Sequence, residues 1–174
     1  MGLEDWGSLL LRVALAAIFL HGAWFSSRGA EARANLVTAT APVFPWRPDL
    51  LAYAGIVMAA GAGLSVLLGI FPRLGALLMA VFLVPAAMIH FGLLRRAVAL
   101  KQSIVGGLGG HSASGLRDEV EELGGSAVLG NMTSALKNLA LIGPALYLAL
   151  AGADAPMLIG FGQDWQLQGL LTRF

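Results

Sequence analysis

Four apolar stretches, each close to the length that crosses a lipid bilayer, constrain this chain more than any other feature. They cover residues 8–25, 50–71, 74–94 and about 133–152. Roughly 20 residues of helix span a hydrocarbon core of about 30 Å, and residues 50–71 carry no charge at all. Charged residues are 12% of the chain, about half the share of an ordinary soluble domain. So few charges cannot clothe a water-facing surface. The expected fold is all-α: an integral membrane four-helix bundle, one domain over residues 1–174, with lipid as its main partner.

Composition also excludes whole classes of function. A formal net charge of +1 gives no basic excess to neutralise phosphates, which argues against nucleic-acid binding. With no cysteine, disulfides, thiolate metal sites and cysteine nucleophiles are absent. No metal-ligand cluster, nucleophile–base pair or nucleotide motif is visible, so the residues do not commit the chain to being an enzyme. The first apolar stretch follows Glu4 and Asp5 rather than a basic flank, so it reads as a span and not as a cleaved signal.

Two connections are long. Residues 26–49 hold a helix-compatible piece at 30–37 followed by Pro42, Pro45 and Pro48. Residues 97–132 hold Gly106, Gly107, Gly109 and Gly110, read as a flexible linker, then a short helix over 114–123 with Ser114 as its cap. The expected architecture is thus a bundle with two long loops that each carry a short helix. The link between the second and third spans is Pro72-Arg73 alone, which forces an antiparallel hairpin. Pro85 and Pro144 fall inside spans, where each removes a backbone donor. Trp6, Trp24, Trp46 and Trp165 lie near segment ends, the position of an interfacial aromatic belt. Residues 153–174 read as an interfacial tail. Asn131-Met132-Thr133 matches a glycosylation sequon but abuts the membrane.

Four spans place both ends of the chain on one side. That side holds Arg73 and Arg173. The other holds Arg28, Arg33, Arg47, Arg95, Arg96, Lys101 and Arg117. Lysine and arginine accumulate in cytoplasmic loops, so the long loops are expected in the cytoplasm of a bacterial inner membrane.

Ionisable residues inside spans cost a few kcal/mol each and are candidates for function. There are four: Arg12, His21, His90 and Lys137. Counting along the spans puts His21, His90 and Lys137, with Asn138 beside it, at one depth near the long loops. Arg12 lies about 13 Å from His21 along the same helix. The group His21, His90, Lys137 and Asn138 suits a quinone headgroup, whose carbonyls need donors and whose reduction needs proton carriers. Snorkelling or bonding to backbone carbonyls is the competing role for each of them. Haem ligation by His21 and His90 is disfavoured, and no intrinsic cofactor is expected beyond that quinone. Gly55, Ala59 and Gly63 recur every fourth residue and read as a helix-packing stripe.

Several segments together carry a family resemblance. They are Leu9-Leu10-Leu11-Arg12 leading to His21-Gly22, then Pro72-Arg73-Leu74-Gly75, then Pro85-Ala86 leading to His90-Phe91, and finally Leu136-Lys137-Asn138-Leu139-Ala140. In that order, over about residues 8–152, they resemble the DoxX family of small four-helix bacterial membrane proteins. The resemblance implies a four-helix bundle and a link to quinone-coupled oxidation, since a similar protein is a subunit of a thiosulfate:quinone oxidoreductase. Relatives often carry a Glu where this chain has Ala59. That departure shifts weight towards the alternative role, a non-catalytic accessory subunit that joins other membrane proteins in a larger complex.

Overall fold

The computed structural model describes residues 3–107 and 114–150. The interfacial tail, Trp165, His111, Gly109 and Gly110 lie outside them. Among the described residues the secondary structure is all helical, with no strand, in five elements: α1 (Leu3–Ser27), α2 (Ala30–Thr40), α3 (Pro48–Leu68), α4 (Pro72–Gly107) and α5 (Ser114–Leu150). Four of these, all but α2, are long and apolar enough to cross a membrane. This is the all-α membrane fold expected from the apolar stretches. Leu10, Val57, Val81 and Leu136 are among the many large apolar side chains turned outward, as a lipid-facing surface requires.

The helices pack in the order α1, α3, α4, α5, with α4 and α5 forming the most extensive pair and α2 lying against α1, α3 and α4. Small residues make this close approach possible. Ala16, Ala62, Ala76, Ala80, Ala135 and Ala145 are all buried. The core joins Leu15 and Phe19 of α1, Val66 of α3, Met79 and Leu83 of α4, and Leu148 of α5. Most of it lies towards the side where α1 begins and α5 ends, hereafter the terminal side.

The first long connection behaves as expected and carries α2. The second does not. In place of a glycine linker and a separate short helix, α4 continues to Gly107 and α5 starts at Ser114. A 36-residue α4 is about 54 Å long, well beyond the roughly 30 Å hydrocarbon core. The two helices therefore extend past the membrane as an antiparallel hairpin on the loop side. Gly124 and Gly125 sit inside α5 even though each costs about 1 kcal/mol in a helix. Packing overrides that cost: a Cβ at Gly124 would lie 3.1 Å from the aliphatic stem of Lys101 on α4. Further out, Arg117 donates to Glu121 one turn away at 3.2 Å, the spacing that supports an exposed helix.

The α3–α4 link is Gly69–Phe71, with Pro72 serving as the first residue of α4, where its missing N–H is no loss. Gly69 takes the left-handed conformation that ends α3, φ 76°, which glycine adopts freely. Ser65 then ties the turn, its hydroxyl donating to the carbonyls of Ile70 at 2.6 Å and Phe71 at 3.1 Å. Gly75 is needed here, because a Cβ would overlap that serine hydroxyl.

Candidate functional site

The intramembrane polar residues divide between the two halves of the bundle. Arg12 belongs to the terminal half. It is 3% exposed and donates through Nε at 3.3 Å and Nη2 at 3.0 Å to the carbonyl of Val66. The last carbonyls of a helix lack intrahelical donors and gather partial negative charge. Val66 sits in the last turn of α3, so the guanidinium supplies what that helix end needs. Arg12 is a clasp between α1 and α3.

The loop half is open. A cavity of about 560 Å³ lies between α1, α2, α3, α4 and the side of α5. Its walls are largely apolar, including Ile18 and Phe19 of α1, Leu51 of α3, and Phe82 and Leu83 of α4. Phe19 and Phe82 pack with ring centroids 5.5 Å apart. Leu36, Thr40 and Phe44, from α2 and the turn after it, form the loop-side wall. That segment is held in place by Val43 against Gly92 of α4, where a Cβ would come within 3.0 Å, and by Arg33, which donates to the carbonyl of Ser27 at 2.7 Å.

Three of the four residues expected to form one site do line this cavity: His90, Lys137 and Asn138. His21 does not. It is exposed and lies against Trp24 and Phe25, with ring centroids 6.2 and 6.3 Å away. The expectation of equal depth also needs correction. His90 faces Asn131 and Lys101 faces Gly124, which fixes the antiparallel register of α4 and α5. Six residues on from Asn131, Lys137 lies about 9 Å further towards the terminal side. Counting from the assumed start of a short fourth span missed this, because α5 starts much earlier. The offset is partly closed by the lysine itself, since helix side chains lean towards the helix N-terminus, here the loop side. Asn138 is buried at 9% exposure.

The small-residue stripe on α3 splits in function. Gly63 packs tightly on α1, where a Cβ would approach Leu20 Cγ to 2.9 Å. Gly55 and Ala59 instead line the cavity, as does Pro85. Ala59 thus gives the cavity an apolar wall. Among the described residues no three His, Asp or Glu side chains come together as a metal site would require.

One polar residue of the site was not identified from the sequence. Asn131 reaches His90 Nδ1 through Oδ1 at 3.3 Å, while its Nδ2 donates to the carbonyl of Ala127 at 2.9 Å. In the sequence it read only as part of a sequon. The available signal was its spacing: seven residues separate Asn131 from Asn138, which sets both on one face of a helix.

The model of the DoxX family matches residues 7–91. Over that stretch, just under half of its length, the chain is similar to the DoxX family. The match runs from α1 to the residue after His90, and so covers the Arg12 clasp, most of the cavity wall and His90. The α5 residues Asn131, Lys137 and Asn138 lie beyond it. No curated protein and no solved structure matches the chain.

Proposed function

We propose that this DoxX-like protein binds the headgroup of a membrane quinone in the loop-side cavity, as a subunit associated with a quinone-linked redox complex of the bacterial inner membrane. One observation carries the reading: an apolar cavity within the spanning region has His90, Lys137 and Asn138 on its α4–α5 side. Its volume falls within the roughly 300–1,000 Å³ typical of small-molecule sites, which are mostly apolar with a few placed polar groups. Lys137 and Asn138 offer donors to a ring oxygen, and His90 adds an imidazole ring to the same wall. The lysine and arginine excess on the loop side supports a cytoplasmic location for α2 and the α4–α5 hairpin.

The test is titration of the nanodisc-embedded protein with decyl-benzoquinone, with an Ala59→Leu variant alongside. The wild type is expected to bind with one-to-one stoichiometry. The variant, whose added side chain projects into the cavity and narrows it, is expected to stay folded and bind more weakly. Absence of wild-type binding, or full binding by the variant, would sink the proposal.

An accessory role is the second reading, and it has its own support. The α4–α5 extension exposes Leu100, Leu116 and Leu123 where a partner subunit could cover them. Recovery of stoichiometric larger subunits, together with no quinone at this chain, would favour it over the first.

A further inference from the structure

We infer that Asn131 fixes His90 as the tautomer protonated on Nδ1, and that the cavity therefore selects the hydroxyl-bearing quinol over the carbonyl-bearing quinone. This rests on the quinone-site reading and adds which redox form is held and by which residue. The amide of Asn131 cannot turn freely. Its Nδ2 donates to the Ala127 carbonyl at 2.9 Å, and a flipped amide would set oxygen against oxygen there. Oδ1 is consequently the atom that meets His90 Nδ1 at 3.3 Å. An amide oxygen only accepts, so Nδ1 carries the hydrogen.

A neutral imidazole has one donor and one acceptor nitrogen, and the partner of the first decides the role of the second. With Nδ1 turned to α5, Nε2 is the polar atom that His90 leaves for the cavity it lines, and it accepts. A quinol hydroxyl donates to such an atom. A quinone oxygen in the same place would oppose one lone pair to another. The other ring oxygen of either form still accepts from Lys137, so Lys137 does not discriminate between them. Asn131 is a positioning residue: it acts on the ligand through the histidine.

The experiment uses the full chain in nanodiscs, with binding of decyl-benzoquinol and decyl-benzoquinone compared under anaerobic conditions. Nitrogen-15 NMR of histidine-labelled protein, with His90 assigned by signal loss in His90→Gln, reads the tautomer without any ligand. The expected result is an Nδ1-protonated His90 and a preference for quinol on the order of tenfold, the scale of one well-made hydrogen bond against a mismatched one. Asn131→Leu should bring the ratio towards one and release the tautomer. An Nε2-protonated His90, or equal or tighter binding of the quinone, would overturn the inference while leaving the quinone site intact. Failure of both forms to bind would remove the quinone reading itself and the preference with it.

Discussion

The two halves of this bundle treat intramembrane polar groups in opposite ways. In the terminal half, Arg12 is buried and spends its guanidinium on the carbonyl of Val66, with the core of Leu15, Val66 and Met79 around it. In the loop half, His90 is half-buried with one ring nitrogen on Asn131, while Lys137 lies at the cavity wall and is exposed. The cost of placing a charge in a span is similar in both cases. What differs is where the compensation comes from. Arg12 is compensated from within the fold and so serves stability. Lys137 and His90 face space that something else must fill. An ionisable residue in a span is thus a candidate for function only once its internal partners have been counted.

The largest expected effect breaks the comparison on its stable side. Arg12→Ala leaves the Val66 carbonyl without its donor and opens a void between α1 and α3. The expected loss is about 2–4 kcal/mol of stability, read as a lower unfolding midpoint in mixed micelles. Quinone affinity of the remaining folded protein should be unchanged. The reverse result, an unchanged midpoint with lost binding, would move Arg12 from the clasp to the ligand site.

Much of this arrangement was legible in the sequence, for identifiable reasons. Bilayer crossing leaves a coarse signal that survives without structure, since some 20 apolar residues in a row have few other uses in a folded chain. The Pro72 hairpin and the cavity residues His90, Lys137 and Asn138 were read from the same signal. The long α4–α5 hairpin was not, because its helices are held by each other. Gly106, Gly107, Gly124 and Gly125 argue locally for a loop, and the packing of α4 along α5, with Lys101 against Gly124, outweighs them. His21 failed as a site residue for a related reason. Depth can be counted along a span, but which face of α1 meets α3 depends on Gly63 receiving Leu20, a pairing invisible in one helix alone. Nine residues of helix set Arg12 and His21 on opposite faces of α1. The inward face proved to be that of Arg12.

A smaller effect sharpens the open side. Lys137→Met removes a charge from the wall of the cavity without removing any partner inside the fold. Stability should change by no more than about 1 kcal/mol, in the stabilising direction, because a charged group no longer needs solvation at that depth. Affinity for decyl-benzoquinone should fall on the order of tenfold. This pairing of gain and loss is the opposite of that expected for Arg12. A marked loss of stability in Lys137→Met would mean that the lysine has a structural partner after all, and the contrast between the halves would narrow.

The smallest expected effect is the sharpest control, because it changes a residue of the same type at the same end of the bundle as His90. His21 lies outside the cavity, on a face shared with Trp24 and Phe25, where the aromatic rings belong to the membrane interface. His21→Leu keeps an apolar surface there and removes no cavity wall. Stability should shift by less than about 0.5 kcal/mol, and quinone binding should match the wild type in parallel titrations with His90→Gln, which should weaken it. Loss of binding in His21→Leu would place the ligand against the outer face of α1. In that case the site would need a second protein to enclose it, and the loop-side cavity would be only the nearer of its two walls.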